Sequence, residues 1–559
     1  MMKCAICGND IINPPYSGDE DLALICLDCT KALLQHDIVQ GMVFWDQSIA
    51  MDARYHQGAK QYVEGLIKAT TATGDLPCVA QEIRDSLLYH IKLHLQFYSH
   101  DDLVALCLLI KQRFRAGMEG ACSDFWDASR EFNVACTMIR CCYEIEEYED
   151  NALTVRDKDD AVNLISAIVL LRILLVLESN IDICKNIGYA HRTIEELLYQ
   201  PIEWEEMEKH FAEYVALAQS EKPEDYRIQS KALKVKLCSE HKDLKSITKQ
   251  AGDVIKQYFG FDLEVMEHIA MYPLQEAATA MEEDQNIFYS LIPLSEIYKR
   301  HEEIADRETV DKVIDIFTLR KAPEALPDPL IKGYYELRSI VRFGDHAFLV
   351  PYDLFQNAAA FRSYAMSGHF IDLYSMDDGM QKKLSAVLNN MSTFIVYTLV
   401  DVLQQNGYTL PQEKKRIDGV LYTIPIAEIK KVKKGGVNLL NQDEDMGDID
   451  ILACDENSKT VYNIEVKHYK PAITVRQMLA DDRNKVEGKD IVRKTLARET
   501  LINNEQETFL RLLGVPVQSG YKVKSLIVSS RPNYFAQLSV NLECITWRQF
   551  CERAENRSL

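Results

Sequence analysis

The sequence predicts a multidomain, mainly α protein: a long helical body, a small metal-nucleated unit before it and an α/β domain behind it. Three observations carry this. Apolar residues recur at spacings of three and four through most of the chain, two CxxC pairs stand at its N-terminal end, and after Met391 short β-like runs alternate with helices. With 559 residues, 47% hydrophobic and 26% charged, the chain has ordinary globular composition. A chain of this length holds about three or four domains and buries a large core without staples. The expected boundaries are 1–35, 36–321, 322–384 and 385–559.

The first unit rests on its cysteines. Cys4-x2-Cys7 and Cys26-x2-Cys29 are eighteen residues apart, and Gly8 suits the tight turn after a knuckle. Paired knuckles look like a four-cysteine zinc ribbon: a closed, structural Zn2+ site replacing a core that so short a segment cannot build. Redox dithiols or unrelated buried cysteines are the other reading. A ribbon of this kind binds nucleic acid or protein, or caps a domain.

The body follows. Ile83, Leu87, Leu88, Ile91 and Leu95 mark one buried helix face, and no proline occurs between Pro77 and Pro201. The most apolar run, Ala161 to Leu177, is interrupted by Asn163, Ser166 and Arg172, which predicts a buried helix and not a membrane span. The opening MMKCAICGND has no apolar signal region. A cytoplasmic chain with no membrane partner and reduced cysteines is therefore expected. His90-x3-His94 reads as packed or surface histidines, since no third ligand stands at helical spacing. Ala322 to Pro329 holds three prolines and reads as a linker. After it, Ser339 to Leu354 predicts a hairpin turning at Gly344-Asp345.

Charge divides the chain. The net charge is −22; residues 381–559 hold 26 basic and 22 acidic groups, leaving −26 on residues 1–380. A general nucleic-acid coat protein is excluded, and only the C-terminal end is suited to a polyanion. The acidic body is expected to regulate, to recognise a protein partner or to oligomerise.

In the last domain, Thr393 to Gln405 predicts a helix capped at Asn406-Gly407. Strands are expected over Gly447–Ala453, Val461–Tyr469 and Val523–Ser529, with a long polar helix from about Lys485 to Leu513. Asp455-Glu456-Asn457-Ser458 is turn chemistry, so the first two strands should form an antiparallel hairpin. By the two-residue period, Asp448, Asp450 and Leu452 share one face, with Ile449, Ile451 and Ala453 opposite. On the second strand Asn463, Glu465 and Lys467 share a face. Asp450, Glu465 and Lys467 then converge. Two carboxylates and an ammonium are costly on a core face unless they bind something. Hard oxygens suit Mg2+ or Mn2+, which lowers the pKa of bound water and neutralises phosphodiester charge; Lys467 would act on that water or on the developing charge.

Residues 447–470 resemble the PD-(D/E)xK phosphodiesterase superfamily, the restriction-endonuclease-like fold. The acid at the strand end is Asp450, and after fourteen residues comes Glu465-Val466-Lys467. The resemblance covers about residues 385–550. It implies a metal-dependent endonuclease with Asp450 and Glu465 on the metal and Lys467 at the reacting water. It also implies a further acid on the preceding helix, for which Asp401 is the one candidate. The family's proline before the first acid is Ile449 here. DNA is the expected substrate, in defence against foreign DNA or in DNA processing, with RNA open. The competing class is a non-enzymatic scaffold with a degenerate nuclease fold. A rival acid set, Asp418 with Glu428-Ile429-Lys430, lacks an apolar strand around its first acid.

Two basic groups accompany the site. Lys430, Lys431, Lys433 and Lys434 precede Gly435-Gly436 and are expected as a mobile loop gripping a nucleic-acid backbone or as an exposed loop with no partner. Lys485, Lys489 and Arg493, with Lys494 and Arg498 nearby, are expected as a stripe on the long helix that tracks phosphates or is a solvated face. There is no GxxxxGK[ST] motif, so an NTP motor would have to come from another chain.

Overall fold

A computed structural model describes residues 41–49, 53–70, 74–119, 125–148, 161–187, 189, 192–199, 244–280, 290–323, 334–343, 346–367, 378–417, 420–441, 445–469, 475–518, 520–530, 533–537 and 542–559. It is mostly helical, and its longest strands lie in the C-terminal third. The expected zinc ribbon, with Cys4, Cys7, Cys26 and Cys29, lies outside the described residues. Two compact units divide the chain: Met1–Glu206 with Phe259–Phe361, and Met207–Tyr258 with Arg362–Leu559.

In chain order the first helices are α1 Ala53–Thr70, α2 Leu76–Leu95, α3 His100–Glu119, α4 Phe125–Glu144, α5 Ala161–Ile187 and α6 Ile194–Tyr199. Then come α7 Leu244–Phe259, α8 Leu263–Ala280, β1 Ser290–Pro293, α9 Leu294–His301, α10 Arg307–Phe317, β2 Ile340–Phe343, β3 His346–Leu349 and α11 Pro351–Ser367. The periodic residues Ile83, Leu87, Ile91 and Leu95 are buried on α2, as their spacing requires, and Leu88, at the edge of that face, is half-buried. The apolar run falls on α5, whose Leu164, Ala167, Ile168 and Leu171 are wholly buried inside the first unit. The expected hairpin is present as β2 and β3, paired antiparallel from Ile340↔Leu349 to Phe343↔His346, with β1 on the other side of β3.

One ionic knot locks this unit. Lys111 on α3 has no exposed surface; its ammonium donates to the carbonyls of Tyr335, Glu336 and Arg338 and lies 2.8 Å from buried Asp353 on α11. Arg115, one turn on, donates to the same carboxylate at 2.7 Å. Asp353 meets two cations, and Lys111 meets three carbonyls besides, so no charge is buried without a partner.

The second unit continues with α12 Asp378–Gln405, β4 Gln412–Ile417, β5 Val420–Pro425, β6 Lys433–Lys434, β7 Val437–Asn438, β8 Ile451–Asp455 and β9 Thr460–Lys467. It ends with α13 Val475–Arg483, α14 Ile491–Asn504, α15 Gln506–Leu513, β10 Lys522–Ser529, α16 Tyr534–Gln537, β11 Glu543–Thr546 and α17 Trp547–Glu555. The central sheet runs β11-β10-β9-β8; β8 and β9 are antiparallel, while β9, β10 and β11 are parallel. On one face Ile451, Ala453, Tyr462, Ile464, Val466, Leu526 and Val528 pack against α12 and α17. On the other, Leu452, Cys454 and Val461 pack against α14 and α15. A sheet covered on both faces by helices is the α/β order expected for this end of the chain.

Three local expectations are corrected. Asp450 lies at a bend and β8 begins only at Ile451, so Ile449 packs with Leu452 and Cys454 instead of sharing the face of Ile451. The helix expected from Lys485 to Leu513 is broken. α13 ends in a π turn over Asn484–Gly488, Asp490 takes a left-handed φ of 56°, and α14 and α15 part at Glu505. Of the lysines before Gly435-Gly436, Lys433 and Lys434 are in a tight hairpin, Lys433 paired with Asn438 and Lys434 with Val437, both glycines at positive φ, as a two-residue turn demands; Lys430 and Lys431 precede it outside any strand.

Candidate functional site

The acids meet because of register. Ile451 pairs with Ile464 and Leu452 with Asn463, which sets Asp450 across from Glu465. Val466 donates its backbone N–H to Asp450 Oδ2 at 2.7 Å, fixing the carboxylate at the strand entrance. Lys467 Nζ lies 3.8 Å from Asp450 Oδ2, forms an ion pair with Glu465 Oε1 and donates to Val466 O at 3.1 Å. The three expected residues are therefore brought together.

Arg498 was not expected at the centre. It lies on α14, on the buried stripe Ile491, Thr495, Arg498 and Ile502, and its guanidinium pairs with Glu465 Oε2. It also donates to Met446 O at 3.0 Å, Asp448 O at 2.5 Å and Thr495 Oγ1 at 3.0 Å. One arginine thus holds both the carboxylate and the loop entering Asp450. A cation at helical spacing between Ile491 and Ile502 was the available sequence signal. Beside it, Asn463 donates to Thr495 O at 3.0 Å and Ser525 Oγ at 2.9 Å, riveting helix to sheet.

The electrostatics follow from burial. Asp450 is pushed up to about 7 by desolvation and then by the charge of Glu465. Glu465 is also desolvated, but Lys467 and Arg498 outweigh that and hold it below the usual range. Lys467 is desolvated too, yet Glu465 and Asp450 raise its pKa. Side-chain exposure grades from 3% at Arg498 and 8% at Glu465 to 18% at Asp450 and 24% at Lys467. The pair Asp450–Lys467 is the solvent-facing rim, and Arg498 is the floor.

Does this set fit a divalent cation? Among the described residues no group of three or more His, Cys, Asp or Glu side chains is placed to hold a metal. Mg2+ does not need one: two carboxylates with waters and substrate phosphate complete its shell. Burial and the charge of Glu465 raise Asp450, and a divalent cation between the two carboxylates would offset both. The two carboxylates fit.

Asp401 does not join them. It sits on α12, whose side chains pack on the face carrying Tyr462, Ile464 and Val466, opposite to Glu465 and Lys467. Its carboxylate accepts from Gln405 on its own helix at 2.8 Å, and burial raises its pKa. The helix approaches the site through Thr393 instead, which donates to Glu428 Oε1 at 3.0 Å. Glu428, from the rival acid set, has a left-handed φ of 49° and donates its amide to Asp450 O at 2.8 Å. Asp418 lies outside the described residues.

The basic residues are spread out. Lys430, Lys431, Lys433 and Lys434 are exposed around the β6–β7 hairpin, where Lys434 pairs with Glu505 at 2.6 Å. Lys485 is on the π turn, its ammonium 5.9 Å from the Tyr469 ring centroid; Lys489 is exposed beyond it; Arg493 on α14 pairs with Asp490. With the helix broken between them, these three do not form one stripe. His90 and His94 are packed, His90 stacked on Tyr62 and His94 bonded to Asn163 Oδ1 at 3.1 Å.

Compared with family models, curated proteins and solved structures, the chain matches none.

Proposed function

We propose that the chain is a metal-dependent nuclease of the PD-(D/E)xK type that hydrolyses phosphodiester bonds, with DNA as substrate. The observation that carries this is the convergence of Asp450, Glu465 and Lys467 at the open end of a central sheet. Asp450 and Glu465 would hold Mg2+ or Mn2+, which when bound supplies Lewis-acid polarisation and a more acidic water. Lys467, on the rim, orients the attacking water and offsets charge developing on the phosphate. Arg498 keeps Glu465 aimed and supplies fixed positive potential below it.

The wider reading is multidomain: a cytoplasmic protein with a zinc ribbon at 1–35, a helical body that meets a protein partner or oligomerises, and the nuclease domain at 385–559. A second reading has one observation in its favour. Glu465 is already paired with two cations, a balance that suits a nuclease fold retained only for binding. Plasmid nicking separates the two. Nicking with Mg2+ or Mn2+, stopped by EDTA and by Asp450→Asn, supports the enzyme. Binding that survives EDTA, with no cleavage under either metal, supports the scaffold.

A further inference from the structure

The β4–β5 hairpin projects from the root of the site, and its two faces differ. Its strands pair in register from Gln412↔Pro425 to Ile417↔Val420. Residues directly opposite share a face, so Gln412, Lys414, Arg416, Leu421, Thr423 and Pro425 lie together. Lys414, Arg416, Leu421 and Thr423 are all exposed, Leu421 at 60%. The one acid of the paired strands, Glu413, is exposed on the opposite face, which also carries Lys415, Val420, Tyr422 and buried Ile424. Among the described residues this outer face carries two cations, exposed Leu421 and no carboxylate.

Its position is equally specific. Ile426 donates to Pro411 O at 2.8 Å and closes the hairpin base. Two residues on, Glu428 donates to Asp450 O. Two residues of chain span at most about 7 Å, so the base lies close to the partner of Asp450, and at ~3.4 Å per residue the six-residue strands reach about 20 Å beyond. The exposed lysines of the β6–β7 hairpin begin immediately after that same segment.

We propose that the β4–β5 ribbon enters the major groove of duplex DNA, Lys414 and Arg416 meeting phosphates and base edges and Leu421 making apolar contact with the bases. The charge of the outer face selects a polyanion. The shape selects the duplex: a B-form major groove, about 12 Å wide, admits a two-stranded ribbon, whereas the A-form groove of RNA is too narrow to be read. The inference deepens the nuclease reading, since the ribbon's root at Asp450 would present the backbone of the gripped duplex to that site.

The test uses the full chain carrying Asp450→Asn, so that binding is measured without cleavage, with a fluorescent 24-base-pair DNA duplex and the matching RNA duplex over a salt series. Lys414→Ala with Arg416→Ala should weaken DNA binding about tenfold and reduce the slope of log K against log salt by about 1.8, roughly 0.9 for each lost phosphate contact. Leu421→Ser should weaken DNA binding several-fold with the slope unchanged. Guanine N7 methylation of the duplex, which blocks the major groove, should weaken binding by the parent protein. These positions are exposed, so melting temperatures should stay at the parent value. Parent-like affinity and slope in the double variant, equal losses on RNA and DNA, indifference to N7 methylation, or no duplex binding even at low salt would each overturn the proposal. Cleavage by the chain with Asp450 intact is scored separately. Ribbon-dependent binding without cleavage removes the nuclease reading and keeps this one; cleavage with ribbon-independent binding does the reverse.

Discussion

Arg498 reaches from α14 through the helix–sheet seam to Glu465, so the innermost acid of the site is held by a residue thirty-three positions further along the chain. The side chains are 3% and 8% exposed, and the same guanidinium binds two carbonyls of the loop that leads into Asp450. Fold and site share this residue.

Removing it should therefore do more than remove a charge. Arg498→Ala strands a buried carboxylate against Lys467 alone, and breaking a buried pair costs about 3–5 kcal/mol. Urea unfolding should show a loss of that order. Arg498→Lys should recover part of the stability but not the fork to the Met446 and Asp448 carbonyls, and its kcat should stay low at saturating DNA. Parent-like stability in Arg498→Ala would mean that the pair contributes nothing.

Lys467→Ala should lower cleavage by several orders of magnitude while DNA and Mg2+ affinity remain near the parent value. Asp450→Ala should lose metal binding as well, because a ligand oxygen is gone. Isothermal titration with Mg2+ beside single-turnover cleavage distinguishes the two outcomes. If Lys467→Ala cleaves at the parent rate, the lysine has no part in the chemistry.

His301 gives the first unit a pH dependence. It is 1% exposed, with Nδ1 2.7 Å from Ile297 O, and burial, aided by His268 and Arg300, outweighs that hydrogen bond and keeps its pKa below the ordinary histidine value. Because the folded pKa is lower than the unfolded one, the unfolded chain binds the extra proton first. Stability from this group is complete above about pH 6.5 and drains as pH falls through the folded pKa. Melting temperatures from pH 7.5 to 5 should fall less steeply in His301→Asn, which keeps an amide donor toward Ile297 and cannot titrate.

The cysteine unit is tested by metal analysis. Freshly purified, reduced protein should carry about one tightly held zinc, released when Cys7 or Cys26 is replaced by serine. Nuclease activity should persist if the ribbon caps the body. Protein that contains no zinc would rule out the ribbon.

The convergence of Asp450, Glu465 and Lys467 was legible because a strand has a period of two, and parity plus a turn at Asp455 to Ser458 fixes which side chains meet. Parity misplaced Ile449 because the chain bends at Asp450, and nothing in Gly447-Asp448-Ile449 signals on which residue regular pairing begins. Asp401 failed for a different reason. Sequence shows that α12 is amphipathic, but not which sheet face it covers. Arg498 was hidden because its partner lies across two layers. The break at Asn484–Asp490 was closer to visible, since Gly488 interrupts the helical run there.

The strand arrangement also orders events in time. β9, with Glu465 and Lys467, is interior to the sheet, whereas β8 is its outer strand and has beyond it only the single bridges Thr409↔Cys454 and Ile429↔Ile449 among the described residues. Half of the acid pair is thus seated on an interior strand and half at the mouth of an edge strand. Brief detachment of the outer strand would separate Asp450 from Glu465 without global unfolding. The Val466 amide, which points at Asp450, is the natural clock for that opening: its hydrogen exchange reads how often the two acids part company.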